Sequence, residues 1–241
     1  DMHWLGFLLL TLQPEVIAHR GGAAHWPENS MQAFQSAVAA GVKIIETDAV
    51  LTSDDRLALN HDLNTLKGPI RLNKFADLNR PSLEDLLALI EGKKLTVMLE
   101  TKMAKPGDKD YVEPAYVVKK IDALIRKYKV GLQIILQSFD HQTLIEMHKI
   151  HPQIRLCLLN PRTRLDNYVA PAKAIGAHIQ FINFRIIEKR DVDALHAAGL
   201  KVFSGTTSDP AEWKKLIDLQ VDGILTDDPL GLQKPLTTKT N

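Results

Sequence analysis

Short runs of branched aliphatic residues alternate along the chain with longer stretches whose apolar positions recur at helical spacing. The apolar runs predict strands at Val16–His19, Lys43–Asp48, Leu57–His61, Leu95–Thr101, Gln133–Gln137, Arg155–Leu159, His178–Phe181, Lys201–Ser204 and Gly223–Thr226. They are dense in Val, Ile and Leu, the pattern of parallel strands covered on both faces. Helices are predicted between them, over Asn29–Ala40, Ser82–Ile90, Val112–Lys129, His141–Ile150, Asp166–Ile175, Glu188–Ala198 and Pro210–Leu219. In the first of these, Met31, Phe34, Ala37 and Val38 fall on one face. Ser82 followed by Asp85 has the spacing of a capping box, and Asp209-Pro210 supplies an N-cap and a first turn. Gly41, Gly176 and Gly199 stand where helices close.

Strand–helix alternation predicts a parallel sheet with helices outside it. Eight main strands with Leu57–His61 as an extra short one fit an α/β fold of the (β/α)8 TIM-barrel type, and 241 residues suit a single such domain. A doubly wound open sheet would need a glycine-rich nucleotide loop after its first strand, where this chain has His19-Arg20-Gly21-Gly22. The barrel domain is expected over residues 15–229, between an extension at 1–14 and a frayed tail at 230–241.

Thirty Lys and Arg against 29 Asp and Glu leave a net charge of +1, which argues against a nucleic-acid partner. A single cysteine, Cys157, excludes an internal disulfide and a cysteine-based zinc site. No apolar run reaches the length of a membrane span. Trp4–Leu12 is apolar but short and lacks the basic flank of a signal peptide. It is expected to pack on the domain, with a signal-peptide remnant, or contact to a membrane surface or a lipid-like substrate, as the other readings. The cytoplasm is the default compartment, with periplasm or secretion as alternatives.

In a parallel barrel the C-terminal ends of the strands form the active face. Here those ends are polar: His19-Arg20, then Glu46-Thr47-Asp48, His61-Asp62 and Glu100-Thr101-Lys102. Side chains two apart on a strand share a face, so Glu46 pairs with Asp48 and Glu100 with Lys102. Three carboxylates thus converge on one mouth and would raise one another's pKa unless a cation intervened. An all-oxygen donor set suits one divalent Mg²⁺ or Ca²⁺ rather than Zn²⁺. Singly, each residue has a plainer explanation: a solvated pair, a strand-end histidine, an ordinary ion pair. Together they have a chemical logic. Two histidines can serve as base and acid across a phosphorus centre. Arg20 and Lys102 can hold phosphate oxygens. No protein nucleophile is evident, which favours attack by water or a substrate hydroxyl.

The same residues carry a family resemblance. Val16–Gly22, Pro27–Ser30, Gly41–Asp48, Leu51-Thr52, His61-Asp62, Pro81–Leu86, Glu100–Lys102, Gln137–Asp140, Ala198–Val202 and Val221–Pro229 together resemble the signature of the glycerophosphodiester phosphodiesterases. The resemblance implies a TIM-barrel hydrolase that cuts a glycerol phosphodiester into sn-glycerol 3-phosphate and an alcohol. It implies metal ligation by Glu46, Asp48 and Glu100, acid–base roles for His19 and His61, and phosphate binding by Arg20 and Lys102. It also implies attack by the glycerol 2-hydroxyl, with a cyclic phosphate that water then opens.

Several features depart from that pattern. Only Leu63–Arg80 follows the His-Asp step, so the insertion that usually covers the mouth is short or absent, and an open pocket with broad tolerance for the leaving alcohol, or access to lipid-like substrates, is expected. Gly205-Thr206-Thr207-Ser208 stands where an aromatic-containing motif is common, and Gln137 where a serine is frequent. Asn29 is expected to cap a helix, and Phe139, Phe181 and Phe184 to belong to the core, with lining of the pocket as the other reading. A lysophospholipase D or sphingomyelinase D-like reaction on the same scaffold is the alternative activity. A non-catalytic binding barrel is the third reading, although the full set of residues is present.

Overall fold

The computed structural model describes residues 13–160 and 162–237. The expectation for Trp4–Leu12 lies outside the described residues. Eight parallel strands close on themselves: β1 (Glu15–Ala18), β2 (Ile44–Leu51), β3 (Thr96–Thr101), β4 (Ile134–Ser138), β5 (Arg155–Leu159), β6 (Ile179–Asn183), β7 (Lys201–Gly205) and β8 (Gly223–Thr226). Neighbours in sequence are neighbours in the barrel, and β1 pairs with both β2 and β8 to complete the ring. The expected (β/α)8 barrel is therefore the fold. Leu57–Leu59 adds a short antiparallel strand against the end of β2. It stops before His61, so that residue stands in a loop rather than at a strand end.

Alternation along each strand divides its residues between two environments. Ile17, Ile44, Met98, Ile135, Cys157, Leu159, Ile179, Phe181, Phe203 and Leu225 form an apolar cluster inside the barrel. A second, larger cluster lies between the outer strand faces and the helices, where Ile45, Val97, Leu99 and Leu136 meet Phe34, Leu86, Leu87, Ile90 and Ile121. Full burial of one such side chain contributes roughly 1.5–3 kcal/mol, so the helical shell and the barrel interior stabilise each other over the whole circumference.

The helices are α1 (Met31–Ala39), α2 (Leu83–Ile90), α3 (Pro114–Tyr128), α4 (His141–Ile150), α5 (Val169–Ala174), α6 (Lys189–Ala197), α7 (Pro210–Asp218) and α8 (Pro229–Thr237). The Ser82–Asp85 capping box forms as predicted. Asp209 caps α7, and its carboxylate accepts from the Ala211 amide. Helix α5 starts later than the pattern suggests, because the Asn167 side chain accepts from the amides of Val169 and Ala170 and diverts the chain into a local turn. Within the expected tail, Pro229–Thr237 is helical. The Asp228 carboxylate accepts from the Gly231 amide, and Leu232 is fully buried. Residues 63–80 form a small hairpin and two single turns, held by a cluster of Val50, Ala58, Ile70 and Leu78 with Leu63 and Phe75 against it. No helix among the described residues is long and apolar enough to cross a membrane.

Candidate active site

Six inward rows run from an apolar residue in the barrel to polar ones at its mouth. Ile17 leads to His19, Ile44 to Glu46 and Asp48, Met98 to Glu100 and Lys102, Ile135 to Gln137, Phe181 to Asn183, and Leu225 to Asp227. A period of two fixes this, because residues on one face of a strand follow each other up the barrel wall. The polar ends line a cavity of about 340 Å³ that includes His19, Arg20, Glu46, His61, Glu100 and Lys102. No residue between 63 and 80 lines it. The short segment after His61-Asp62 thus packs to one side of the mouth.

β2 and β3 are paired in register, with Asp48 opposite Glu100. Glu46, Asp48 and Glu100 each present a carboxylate oxygen to a common point, and these oxygens all lie within 4.8 Å of one another. Glu46 and Asp48 are each only 1% exposed. Burial, with Asp48 and Glu100 nearby, pushes the Glu46 carboxyl well above the ordinary carboxylate range. Burial, with Asp48 close by, pushes Glu100 up to about 7 despite Lys102. Burial acts against the charge on Asp48 too, but Lys102, Asn29 and His61 outweigh it and hold its pKa down. The Lys102 ammonium lies 3.1 Å from Asp48 and 2.6 Å from Glu100. These carboxylates more than offset the cost of burying the ammonium and hold its proton tightly. Two carboxylates are thus left leaning towards their protonated forms, which is an incomplete compensation. Oxygens with this spread match the coordination shell of one hard cation, whose metal–oxygen bonds are about 2.0–2.6 Å. The acidic cluster can hold a divalent metal ion.

Both imidazoles are braced. His19 Nδ1 lies 2.6 Å from Asp227 Oδ1, and His61 Nδ1 lies 2.8 Å from Asp62 Oδ1. The His19 contact, stronger than the cost of burial, holds the Asp227 carboxyl below the usual range. A proton on Nδ1 facing each carboxylate leaves Nε2 as the free nitrogen of each ring. Arg20 is held from several sides. Its amide donates to Glu46 Oε2 at 3.0 Å and its Nη1 donates to Glu28 at 2.8 Å. Its Nε, 3.7 Å from Asp48, is buried without a hydrogen-bond partner. Burial opposes the guanidinium charge, but Glu28 and Asp48 more than compensate. The Arg20 guanidinium also lines the cavity, where a fixed cationic fork is suited to an oxyanion.

The structure brings all seven sequence-derived residues to one centre, and it adds partners that the motifs did not name. Asn29 is not the cap of α1; Ser30 is, through its hydroxyl. The Asn29 side chain is buried, accepts from the Thr47 hydroxyl and donates to Asp48 at 2.9 Å. Gln137 donates to Glu46 at 2.8 Å, and its own Oε1 is buried without a partner. Phe184 is core as expected, and Phe181 is buried but faces the cavity. Phe139 is not core: it is 54% exposed and stands at the cavity wall. The signals for Asp227 and Asp62 were present as Thr-Asp-Asp-Pro after β8 and as His-Asp, but sequence alone pairs neither acid with a particular ring.

A closed (β/α)8 barrel with this centre at its C-terminal mouth falls in the class of barrel phosphodiesterases. The chain belongs to the glycerophosphoryl diester phosphodiesterase family, whose sequence model matches residues 19–230. It is 30% identical over 239 residues to a glycerophosphodiester phosphodiesterase of Bacillus altitudinis, covering 89% of this chain and 95% of the relative. It is 28% identical to a glycerophosphodiester phosphodiesterase of Caldanaerobacter subterraneus, covering 89% of this chain and 94% of that one. Among solved structures, a glycerophosphodiester phosphodiesterase from Parabacteroides distasonis superposes with a TM-score of 0.84 at 22% identity, covering 95% of this chain and 99% of the other. A phosphodiesterase of Oleispira antarctica, solved with the product sn-glycerol-3-phosphate, has a TM-score of 0.84 at 20% identity, covering 93% of this chain and 97% of that one.

Proposed function

We propose that the protein hydrolyses glycerophosphodiesters to sn-glycerol 3-phosphate and an alcohol, with Mg²⁺ or Ca²⁺ as its cofactor. The observation that supports this best is the meeting of Glu46, Asp48 and Glu100 at the wall of one cavity, which Glu46, Glu100 and two carboxylate-braced histidines line. In this reading those three acids hold the cation, which would bind a phosphate oxygen and lower the pKa of an attacking hydroxyl. Arg20 and Lys102, which both line the cavity, bind the remaining phosphate oxygens and stabilise the charge that builds on them.

Each imidazole is paired with a carboxylate, which supports a nucleophile supplied by the substrate. One imidazole takes the proton of the glycerol 2-hydroxyl as that oxygen bonds to phosphorus. The other donates a proton to the departing oxygen as the bond to the leaving alcohol breaks. The product of this half is a cyclic phosphate. Water then opens it with the two rings in exchanged roles, giving sn-glycerol 3-phosphate. The braced Nδ1 atoms keep both Nε2 atoms available for these transfers.

Incubation with glycerophosphocholine and either cation tests this, with sn-glycerol 3-phosphate measured by a coupled dehydrogenase. Release that stops with EDTA and returns with added cation is expected. Absence of the product with both cations overturns the reading.

A further inference from the structure

A second groove of about 590 Å³ adjoins the reaction cavity, and Glu100, Lys102 and Phe139 belong to the walls of both. This groove lies between the loop that follows β3 and the β4–α4 junction, and Met103, Ala104 and Pro106 give it an apolar side. Tyr111 and Phe139 add two aromatic rings, with Glu113 and Asp140 beside them.

The carboxylates are only partly engaged. The Tyr111 hydroxyl donates to Glu113 Oε2 at 3.2 Å, which leaves Oε1. Asp140 uses Oδ2 to accept from the amide and hydroxyl of Thr143, which leaves Oδ1. Glu113 precedes Pro114 at the start of α3, yet its side chain makes no capping bond. Lys102 is engaged by Asp48 and Glu100, so the exposed Lys105 is the one uncommitted cation of the groove wall. Two aromatic faces, two carboxylates and an apolar side are the elements that attract an organic cation. A trimethylammonium group is apolar at its surface and cannot donate a hydrogen bond, so ring faces and diffuse negative charge suit it.

We propose that this groove is the subsite for the leaving alcohol, and that it selects alcohols bearing an ammonium group, held against Tyr111 and Phe139 with Glu113 and Asp140 supplying the counter-charge. The proposal rests on the reaction given above and names the substrate class it favours. The shared wall supports it, because Lys102, a proposed phosphate-binding residue, and Phe139 line both the reaction cavity and the groove.

The test compares kcat/KM for glycerophosphocholine and glycerophosphoglycerol, which share the phosphate and one glycerol but differ in the charge of the other alcohol. The purified full chain with its divalent cation should prefer glycerophosphocholine. Glu113→Gln and Phe139→Ala should each lower that preference by about three- to tenfold, mainly through KM, the range expected for a cation against an aromatic face. Glu113→Gln keeps the shape and breaks no cap, and Phe139 is exposed, so thermal unfolding should stay near that of the parent protein. Equal kcat/KM for the two substrates in the parent protein overturns the proposal, as does a preference that neither variant changes. If Phe139→Ala impairs only lysophosphatidylcholine, the groove serves an acyl chain and the ammonium assignment is wrong. Failure to cleave any of these diesters would be a different result: it overturns the underlying reaction, and the subsite with it.

Discussion

His19 and His61 each commit Nδ1 to an aspartate, and those aspartates lie at opposite extremes of legibility. Asp62 adjoins its histidine in the chain, whereas Asp227 is 208 residues from His19. Both rings face the reaction cavity. We expect His19→Ala and His61→Ala each to lower kcat by at least ~10², the usual loss when a general acid or base is removed. Near-normal turnover in either variant would remove that residue from proton transfer. Asp227→Asn should lower kcat by about 10–100-fold with little change in KM, because an amide no longer fixes the tautomer of His19. A steady-state kinetic comparison with the parent enzyme decides it. Asn29 shows why residue roles are hard to read from a motif. Asn before Ser-Met-Gln looks like a cap in sequence, but Ser30 takes that place and Asn29 turns inward to hold Asp48.

At the scale of the element, the strand ends and helix starts were legible to within about three residues. Arg155–Leu159 and Gly223–Thr226 match the pattern in full, since a buried parallel strand must be apolar on both faces. The departures come from side chains that bond to nearby backbone. Asn167 delays α5, and Asp228 begins a helix where the composition suggests a loose tail. Ser82→Ala should remove the reciprocal cap of α2 and cost about 1 kcal/mol, read from the urea midpoint. Gly21 lies in the turn that presents Arg20. Its φ is +88°, and a Cβ there would come 2.7 Å from that of Ala33. Gly21→Ala is therefore expected to cost roughly 1–3 kcal/mol and to raise KM by moving Arg20. A variant with unchanged melting temperature and KM would show that the turn tolerates a side chain.

The whole molecule decides the charge state of the centre. Three acids from two adjacent strands share a buried space with one lysine, and the pKa of Glu100 rises from the usual 4.5 to about 7. The folded, metal-free protein thus keeps a proton that the unfolded chain has already lost. This group contributes most below pH 4.5, and its contribution is lost as pH rises towards about 7; Glu46 acts in the same direction. A bound cation reverses the preference by favouring the ionised acids. Cation binding near neutral pH should therefore release protons, and affinity should increase with pH. Calorimetry in two buffers of different ionisation enthalpy measures the release. A binding enthalpy that does not depend on the buffer would exclude Glu46 and Glu100 from the ligand set.

The order of strands and helices, the closed barrel that it implies, and the row of polar residues at the strand ends were all written in the chain. They depend on periods of two and about 3.6 residues and on local caps, which act over a few positions. Closure of the ring decided the rest. It sets β8 beside β1, and so brings Asp227 to His19. It sets Asp48 against Glu100 and makes their protonation a shared property. It leaves Phe139 in the open at the junction of two cavities. Such contacts join residues far apart in the chain, and their strength depends on burial, which no short stretch of sequence contains.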